Sequence, residues 1–280
     1  MKRTLYSIVF AFLLLITSDS GIAQQINVLS YNIRYASFNN DAENWDNRKE
    51  GVISILRGHD FIGLQEVLPV QMDQISKNLE NEYEYFFRTR EADPGIGEGC
   101  SLLFNKTRWE VIKSGHLWLS DTPEIPGSNT WGAAFSRMVT FGFFRDIISG
   151  DSILVVNTHF DHVSQSAREK SIEFILGKFK KDINEMPVII MGDLNVTPDN
   201  TVYHKILSIK SLTDSYSKKH PKETHKGATF HGWSEETPVN RIDYIFCSPL
   251  LKVKSSRVLH DQFKGMFPSD HFPVNSIFIF

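Results

Sequence analysis

Short apolar runs rich in β-branched and aromatic residues recur along the chain. Runs of this length and composition are typical of β-strands. We therefore predict strands at Ile26–Tyr31, Phe61–Gln65, Ser101–Phe104, Met138–Phe144, Ile153–Thr158, Val188–Met191, Ile242–Cys247 and Asn275–Phe280.

Two segments between these runs have the spacing of amphipathic helices. In the first, Val70, Ile75 and Leu79 fall on one face. In the second, the apolar face holds Ile172, Ile175, Leu176 and Phe179, and the charged face holds Arg168, Glu169, Lys178 and Lys180. Both patterns predict helices that pack one face against the protein.

The N-terminal segment has the layout of a secretory signal peptide. Lys2 and Arg3 precede an apolar run at Leu5–Ile16, and the small residues Gly21 and Ala23 suit a signal peptidase. We predict cleavage near Ala23 and export to the periplasm or the medium. The apolar run is far shorter than the roughly 20 residues of a membrane span, and no later segment comes closer, so no transmembrane segment is expected.

Composition narrows the function classes modestly. The formal net charge is −3, which counts against a protein that depends on nonspecific contacts with a phosphate backbone. A locally basic cleft stays compatible with this charge. Cys100 and Cys247 lie in strand-like segments, where a disulfide and buried free thiols are both compatible with export. Neither has a second cysteine or a histidine at zinc-motif spacing, so a soft-metal site is not expected.

Polar residues of the types found in active sites lie at the ends of predicted strands. They are Asn32, Glu66, His159, Asp193 and Asp243. In a sheet-based enzyme, side chains at strand ends and in the adjoining loops converge on one rim. The sequence therefore predicts one site built from residues that are far apart along the chain.

A second pattern near the C-terminus points to hydrolysis. Asp243 lies in the segment Arg241–Phe246, and Asp270 and His271 lie in Ser269–Val274. A histidine oriented by an aspartate can move a proton near neutral pH, and a further aspartate beside it suits a hard metal ion.

Six motifs, in this order, resemble those of the endonuclease/exonuclease/phosphatase superfamily. They are Ser30-Tyr31-Asn32-Ile33-Arg34, Leu64-Gln65-Glu66-Val67, Asn157-Thr158-His159-Phe160-Asp161, Gly192-Asp193-Leu194-Asn195, Arg241-Ile242-Asp243-Tyr244-Ile245 and Ser269-Asp270-His271. The segment Trp118–Pro123, followed by Trp131 and Arg137, is similar to a secreted bacterial branch whose substrates are poorly defined. The resemblance implies one domain over 24–280 with a DNase I-like α/β (α+β) fold. That fold is a four-layer α/β/β/α sandwich of two packed, mainly antiparallel sheets.

The resemblance also implies a metal site. Glu66 corresponds to the principal ligand of Mg²⁺, for which Mn²⁺ can substitute, and Asn32 and Asp270 complete the site directly or through water. This set suits Mg²⁺, which takes few carboxylates and keeps several waters.

The same resemblance gives roles to five catalytic candidates. His271, oriented by Asp243, activates water or shares the charge of the attacked phosphoryl group, and the sequence leaves both alternatives open. Asp193 positions or deprotonates the attacking water. Asn195 and His159 donate hydrogen bonds to the phosphoryl oxygens as negative charge redistributes.

Four further residues are candidates for binding substrate. Arg34 and Arg137 can bind a phosphate, although ion pairing within the protein explains them equally well. Asp161 can line the same rim or belong to a polar loop. Trp233, which follows a glycine, is expected near a loop where it can contact substrate.

We predict an exported Mg²⁺-dependent phosphoesterase that hydrolyses phosphate monoesters or diesters by metal-assisted attack of water, acting on a small or carbohydrate-linked phosphate. A secreted nuclease acting on DNA or RNA is the alternative. A sphingomyelinase-like lipid phosphodiesterase and an inactive binding module are further alternatives, although the chain lacks a long apolar hairpin and none of the six motifs is broken. No obligate protein partner is evident, and fold alone does not fix the substrate.

Overall fold

The computed structural model describes residues 24–39, 43–209, 212–222, 227–233 and 240–280. The predicted signal peptide, 1–23, lies outside these residues and stays a prediction. Within the described ranges the chain forms twelve strands and six helices. The strands are β1 (Gln25–Asn32), β2 (Phe61–Val67), β3 (Tyr83–Phe86), β4 (Gly99–Asn105), β5 (Trp109–Trp118), β6 (Met138–Asp146), β7 (Ser152–His159), β8 (Val188–Asp193), β9 (Thr213–Asp214), β10 (Asp243–Cys247), β11 (Lys252–Val258) and β12 (Val274–Ile279). The helices are α1 (Trp45–Leu56), α2 (Pro69–Leu79), α3 (Gln165–Lys178), α4 (Lys180–Glu185), α5 (Thr201–Ser208) and α6 (Ser215–Lys219).

The strands of the described residues form two six-stranded sheets. The first has the order β11-β12-β1-β2-β4-β3, and the second has the order β5-β6-β7-β8-β10-β9. Each sheet contains one parallel pair, β1–β2 in the first and β7–β8 in the second, and the other neighbours are antiparallel. The predicted pair of mainly antiparallel sheets is confirmed.

Alternation along the strands separates three apolar layers. In β8, Ile189 and Met191 join the core between the two sheets, whereas Val188 and Ile190 join the core that the second sheet shares with α3, α4 and α5. The first sheet packs its outer face against α1 and α2. The predicted four-layer α/β/β/α sandwich is thus confirmed, and strands covered on both faces explain the continuous apolar runs in the sequence.

Every predicted strand is present, but the sequence pattern missed β3, β5, β9 and β11 and the helices α1, α4, α5 and α6. The strands β5 and β11 lie at sheet edges. In β5, Glu110, Lys113 and Ser114 are exposed, so the strand carries no continuous apolar run. Edge strands with charged side chains avoid pairing with other molecules, which is why their hydrophobic pattern is weak.

Two details of the predicted helices were wrong. Val70 is 38% exposed, and the buried position next to it is filled by Gln71, whose amide accepts hydrogen bonds from the backbone N–H groups of Ala36 and Leu68. Arg168 lies on the buried side of α3, where it donates to the carbonyl oxygen of Asp161 at 2.8 Å.

The two cysteines are free thiols. Cys100 lies in β4 of the first sheet and Cys247 lies in β10 of the second, and both are buried. Among the described residues, no helix is long and apolar enough to cross a membrane.

Gly192, the penultimate residue of β8, has a backbone conformation and surroundings that do not admit a side chain. Its φ is +145°, and a Cβ atom there would lie 1.9 Å from the carbonyl oxygen of Thr158 on the neighbouring strand. The close approach of β7 and β8 at this point sets the position of Asp193, the next residue.

We predict that Gly192→Ala lowers the free energy of unfolding by about 3 kcal/mol or more, because the strands must separate to admit the methyl group. The matched control is Gly177→Ala, on the exposed face of α3, where a Cβ meets nothing within 4 Å. That variant should be more stable by about 0.5–1 kcal/mol, since alanine favours a helix. Urea unfolding measures both, and equal stability of the two variants would contradict the prediction.

Candidate active site

The strand register brings three predicted site residues side by side at one end of the second sheet. His159 on β7 is paired with Asp193 on β8, and Asp193 is paired with Asp243 on β10. All three side chains are buried. Asn32 and Glu66 come from β1 and β2 of the first sheet, so the site forms where the ends of the two sheets meet.

Glu66 leaves the regular alternation of β2. The pairing register between β2 and β4 shifts between Leu64 and Val67, and Glu66 has a left-handed backbone with φ +60°. Non-glycine residues pay a conformational cost in this region and concentrate at functional sites. Within the described ranges, the non-glycine residues with positive φ are Arg34, Glu66, Asn195, Trp233 and Lys264, and all but the last are predicted site residues.

Asn32 connects the two sheets at the rim. Its amide nitrogen donates to Glu66 Oε1 at 3.1 Å and to Asp193 Oδ2 at 3.0 Å, and its oxygen accepts from the backbone N–H of Arg34 at 3.0 Å. With the oxygen engaged by the backbone, the donor side of the amide faces the carboxylates. Asn32 therefore holds two carboxylates in place.

Asp193 lies at the centre of the arrangement. Its Oδ2 is 3.6 Å from His159 Nε2 and 3.9 Å from His271 Nε2, and its Oδ1 accepts from the backbone N–H of Asn195 at 2.9 Å. Burial, reinforced by the charge of Asp243, raises the pKa of Asp193 to about 7. Such a carboxyl group exchanges a proton near neutral pH.

His271 is held by Asp243. Its Nδ1 lies 2.9 Å from Asp243 Oδ2, and the backbone N–H of Asp243 donates to Thr229 Oγ1. Burial works against the charged ring, but Asp243, Asp193 and Asp270 together outweigh it and raise the pKa of His271 to about 10. The ring is therefore an imidazolium at neutral pH. The ring centroid of Phe230 lies 5.0 Å from that of His271.

His159 has the opposite charge state. Burial and the nearby charges of Arg137 and Arg90 hold its pKa well below the usual value, so the ring is neutral at pH 7. Its Nε2 lies 3.1 Å from the amide nitrogen of Asn195, which also donates to the carbonyl oxygen of Phe160 at 3.1 Å. The pair thus presents neutral polar groups beside the charged Asp193.

Glu66 and Asp270 share one cation in the structure. Arg34 places its Nη1 3.7 Å from Glu66 Oε2 and its Nε 3.7 Å from Asp270 Oδ2. Burial raises the pKa of Asp270, and the nearby Glu66 raises it further. Two carboxylates that converge on a positive charge are a donor set that fits a hard divalent cation. Two further groups have ligand atoms within 4.8 Å of one another: Glu66, Glu98 and His159, and Asp193, Asp243 and His271.

The remaining predicted substrate residues lie in different surroundings. Asp161 accepts hydrogen bonds from the backbone N–H groups of Ala134, Phe135, Val163 and Ser164. Its carboxylate therefore orders two loops, and a contact of Asp161 with substrate stays a prediction. Trp233 lies over the guanidinium of Arg48 at 5.5 Å, and its contact with substrate stays a prediction. Arg137 is buried and lies near Asp161 and His162.

Sequence reasoning missed several residues that position the site. Arg48 is 2% exposed and donates to the carbonyl oxygens of Ile33 and Pro268, which joins the loop after β1 to the loop before Asp270. Gln65 donates to Asn157 Oδ1 at 2.8 Å across the two sheets. Gln65 and Asn157 lie inside the predicted motifs and Arg48 lies outside them, but only the contacts of these residues reveal what they do.

The chain was compared with proteins of known sequence and structure. A crystal structure of a Bacteroides vulgatus endonuclease/exonuclease/phosphatase is 30% identical, with a TM-score of 0.84 over 91% of this chain and 98% of that one. A mannosyl-6-phosphatase of Bacteroides thetaiotaomicron is 29% identical, with a TM-score of 0.84 over 91% of this chain and 100% of that one.

A curated relative, Protein angel of Drosophila melanogaster, is 20% identical over 214 residues. The alignment covers 74% of this chain and 59% of the Drosophila protein, so the chain spans little more than half of that relative's length.

The model of the "Endonuclease/Exonuclease/phosphatase family" matches residues 29–271. This span includes every predicted site residue and ten of the twelve strands in full, but it leaves out the first half of β1 and all of β12. The chain therefore belongs to the endonuclease/exonuclease/phosphatase family of phosphoester hydrolases.

Proposed function

We propose that the protein is an exported, Mg²⁺-dependent phosphoesterase that hydrolyses a small, carbohydrate-linked phosphate ester. The observation that carries this proposal is the division of protonation states at the rim. A carboxyl group that titrates near neutrality, Asp193, lies between the imidazolium of His271 and the neutral ring of His159. When water attacks a phosphoryl centre, it needs a group that accepts a proton and groups that stabilise the developing negative charge.

Asp193 accepts the proton of the attacking water. Its pKa of about 7 matches a general base that works near neutral pH, and its position between two sheets orients the water. His271 is already protonated, because Asp243 and the other carboxylates stabilise its charge. It therefore shares the charge of the attacked phosphoryl group, and of the two alternatives left open by the sequence this is the one we favour.

His159 and Asn195 donate hydrogen bonds to the phosphoryl oxygens. In the structure the Asn195 amide donates to His159 Nε2 and to the carbonyl oxygen of Phe160, so both side chains would donate to a phosphoryl oxygen once the contact between them opens. Fixed donors aimed at developing charge contribute strongly to catalysis in a buried site.

Glu66 and Asp270 would hold the Mg²⁺, for which Mn²⁺ can substitute, and Asn32 would fix the Glu66 carboxylate beside it. When bound, the ion supplies Lewis-acid stabilisation of the leaving oxygen. Arg34, which contacts both carboxylates, would be displaced toward the substrate phosphate as the ion takes its place.

The similarity to a mannosyl-6-phosphatase over the full length of that chain supports a sugar phosphate as substrate. The net charge of −3 agrees with a small ester, since a polynucleotide is usually bound by clustered basic residues. A terminal phosphate on a carbohydrate would meet an exported enzyme outside the cytoplasm.

We expect the mature protein with Mg²⁺ to release inorganic phosphate from hexose phosphates, and EDTA to abolish the activity. Asp193→Ala should lower kcat/KM by about 1,000-fold, because it removes the base. Asp151→Ala, an exposed aspartate far from the rim, is the control. Initial rates on sugar phosphates, inositol phosphates, plasmid DNA and single-stranded RNA test the proposal. Cleavage of polymer with no release from any small ester would overturn it in favour of the nuclease.

We expect Asp243→Asn to lower the pKa of His271 by at least about 2 units, since Asp243 is the strongest influence that raises it. NMR titration of the histidine ring protons in the EDTA-treated protein measures this change without reference to activity. Asp151→Asn should leave the titration unchanged. A His271 pKa that is the same in Asp243→Asn and the wild type would contradict the assigned charge state.

A further inference from the structure

A small cavity adjoins the candidate site. Its lining includes His159, Arg90, Glu98, Cys100 and Arg137. The empty volume is about 190 Å³, but the cavity has room for roughly one water-sized atom. His159 borders both the cavity and the candidate active site. The cavity therefore lies beside the groups assigned to the phosphoryl oxygens.

Arg137 is a buried charge without enough partners. It is 5% exposed, and within the described residues its Nε and Nη1 have no hydrogen-bond partner. Its Nη2 lies 3.2 Å from Nδ1 of the exposed His162. A buried N–H group left unpaired costs free energy, and a guanidinium pays more than a neutral group. Its free donors therefore favour an anionic ligand.

The acids near Arg137 are engaged elsewhere. Asp161 Oδ2 is 3.8 Å from Arg137 Nε, which is beyond hydrogen-bond distance. The Asp161 carboxylate instead accepts hydrogen bonds from four backbone N–H groups. Glu98 accepts from Nη1 and Nη2 of Arg90 at 2.8 and 3.2 Å. Glu98 is thus bound to both Nη groups of Arg90, and Arg137, although it lies at ion-pair distance from Asp161, keeps two donors without a hydrogen-bond partner.

We propose that this cavity receives one non-bridging oxygen of the substrate's phosphoryl group, and that Arg137 thereby selects phosphate monoesters over diesters. The inference rests on the proposed function, whose substrate class it narrows. A guanidinium binds phosphate oxygens through charge-assisted hydrogen bonds, and Nε and Nη1 of Arg137 are both free to donate one.

The selectivity follows from the number of oxygens. A monoester has three non-bridging oxygens, which can meet His271, the pair His159 and Asn195, and Arg137 at the same time. A diester has two, and its third oxygen carries a substituent that a one-atom cavity does not admit. A monoester also carries a charge near −2 at neutral pH, which strengthens its contact with Arg137.

The test compares p-nitrophenyl phosphate with bis-p-nitrophenyl phosphate for the wild type, Arg137→Gln and Arg137→Lys. Arg137→Gln should lower kcat/KM for the monoester by about 100-fold or more and for the diester by less than about 5-fold. Arg137→Lys keeps the positive charge but not the planar guanidinium, so its kcat/KM for the monoester should lie between those of the wild type and Arg137→Gln. Arg145→Gln is the matched control, since Arg145 lies on β6, the strand that directly follows Arg137, is 53% exposed and pairs with Glu110.

A second readout does not depend on turnover. Inorganic phosphate should raise the Tm of the EDTA-treated wild type and of Arg145→Gln, and this rise should be absent in Arg137→Gln. If Arg137→Gln fails to fold, Arg137→Lys and the phosphate-dependent Tm of the wild type decide the question. No rise in wild-type Tm with phosphate would overturn the anion site.

The two proposals fail in different ways. Equal losses on monoester and diester, or no loss on either, would overturn the role of Arg137 while the phosphoesterase stands. A wild type that hydrolyses no phosphoester would overturn the proposed function. In that case phosphate protection that depends on Arg137 would still support the anion site, and protection unaffected by Arg137→Gln would reject it.

Discussion

The hydrogen bonds of the Asn32 amide hold together the rim on which the candidate chemistry depends. Asn32 is at the end of one sheet, and its donors reach Glu66 on the neighbouring strand and Asp193 on the opposite sheet. Without a donor between them, the buried carboxylate of Asp193 and the partly buried carboxylate of Glu66 would repel each other. A neutral amide with two N–H groups satisfies both without adding a charge. The spacing between the two halves of the site therefore follows from one side chain.

Charge is distributed around this bridge in a definite order. The carboxylates Glu66 and Asp270 converge on one side, where a cation is favoured. Asp243 and His271 form an ion pair on the second side, and the neutral His159 separates them from the guanidinium of Arg137. A phosphoryl group placed among them meets positive charge from three directions. Burial raises the pKa of Asp193 and lowers that of His159, whereas the neighbouring carboxylates overcome burial and keep His271 protonated.

Much of this was predictable from the sequence because the strands are buried on both faces and read as apolar runs. The order of the six motifs identified the family, and strand ends predicted which side chains converge. The pattern could not reveal edge strands such as β5, whose exposed residues break the apolar run. It also could not separate Asp161 from Asp193: both follow an apolar strand, but only the hydrogen-bond partners show that one orders loops. Arg48, Gln65 and Asn157 act through contacts between distant segments, which no local pattern records.

The left-handed backbones of Arg34, Glu66 and Asn195 have a consequence for the evolution of this chain. Each holds a side chain where a glycine would fold with less strain, at a conformational penalty of about 1–3 kcal/mol. Mutations that relax these positions would make the protein harder to unfold while removing a functional group. Selection for thermal stability alone would therefore replace these three site residues first. Substitutions in the sheets can raise the free energy of unfolding without touching the site, whereas at these three positions a gain in stability removes a functional side chain.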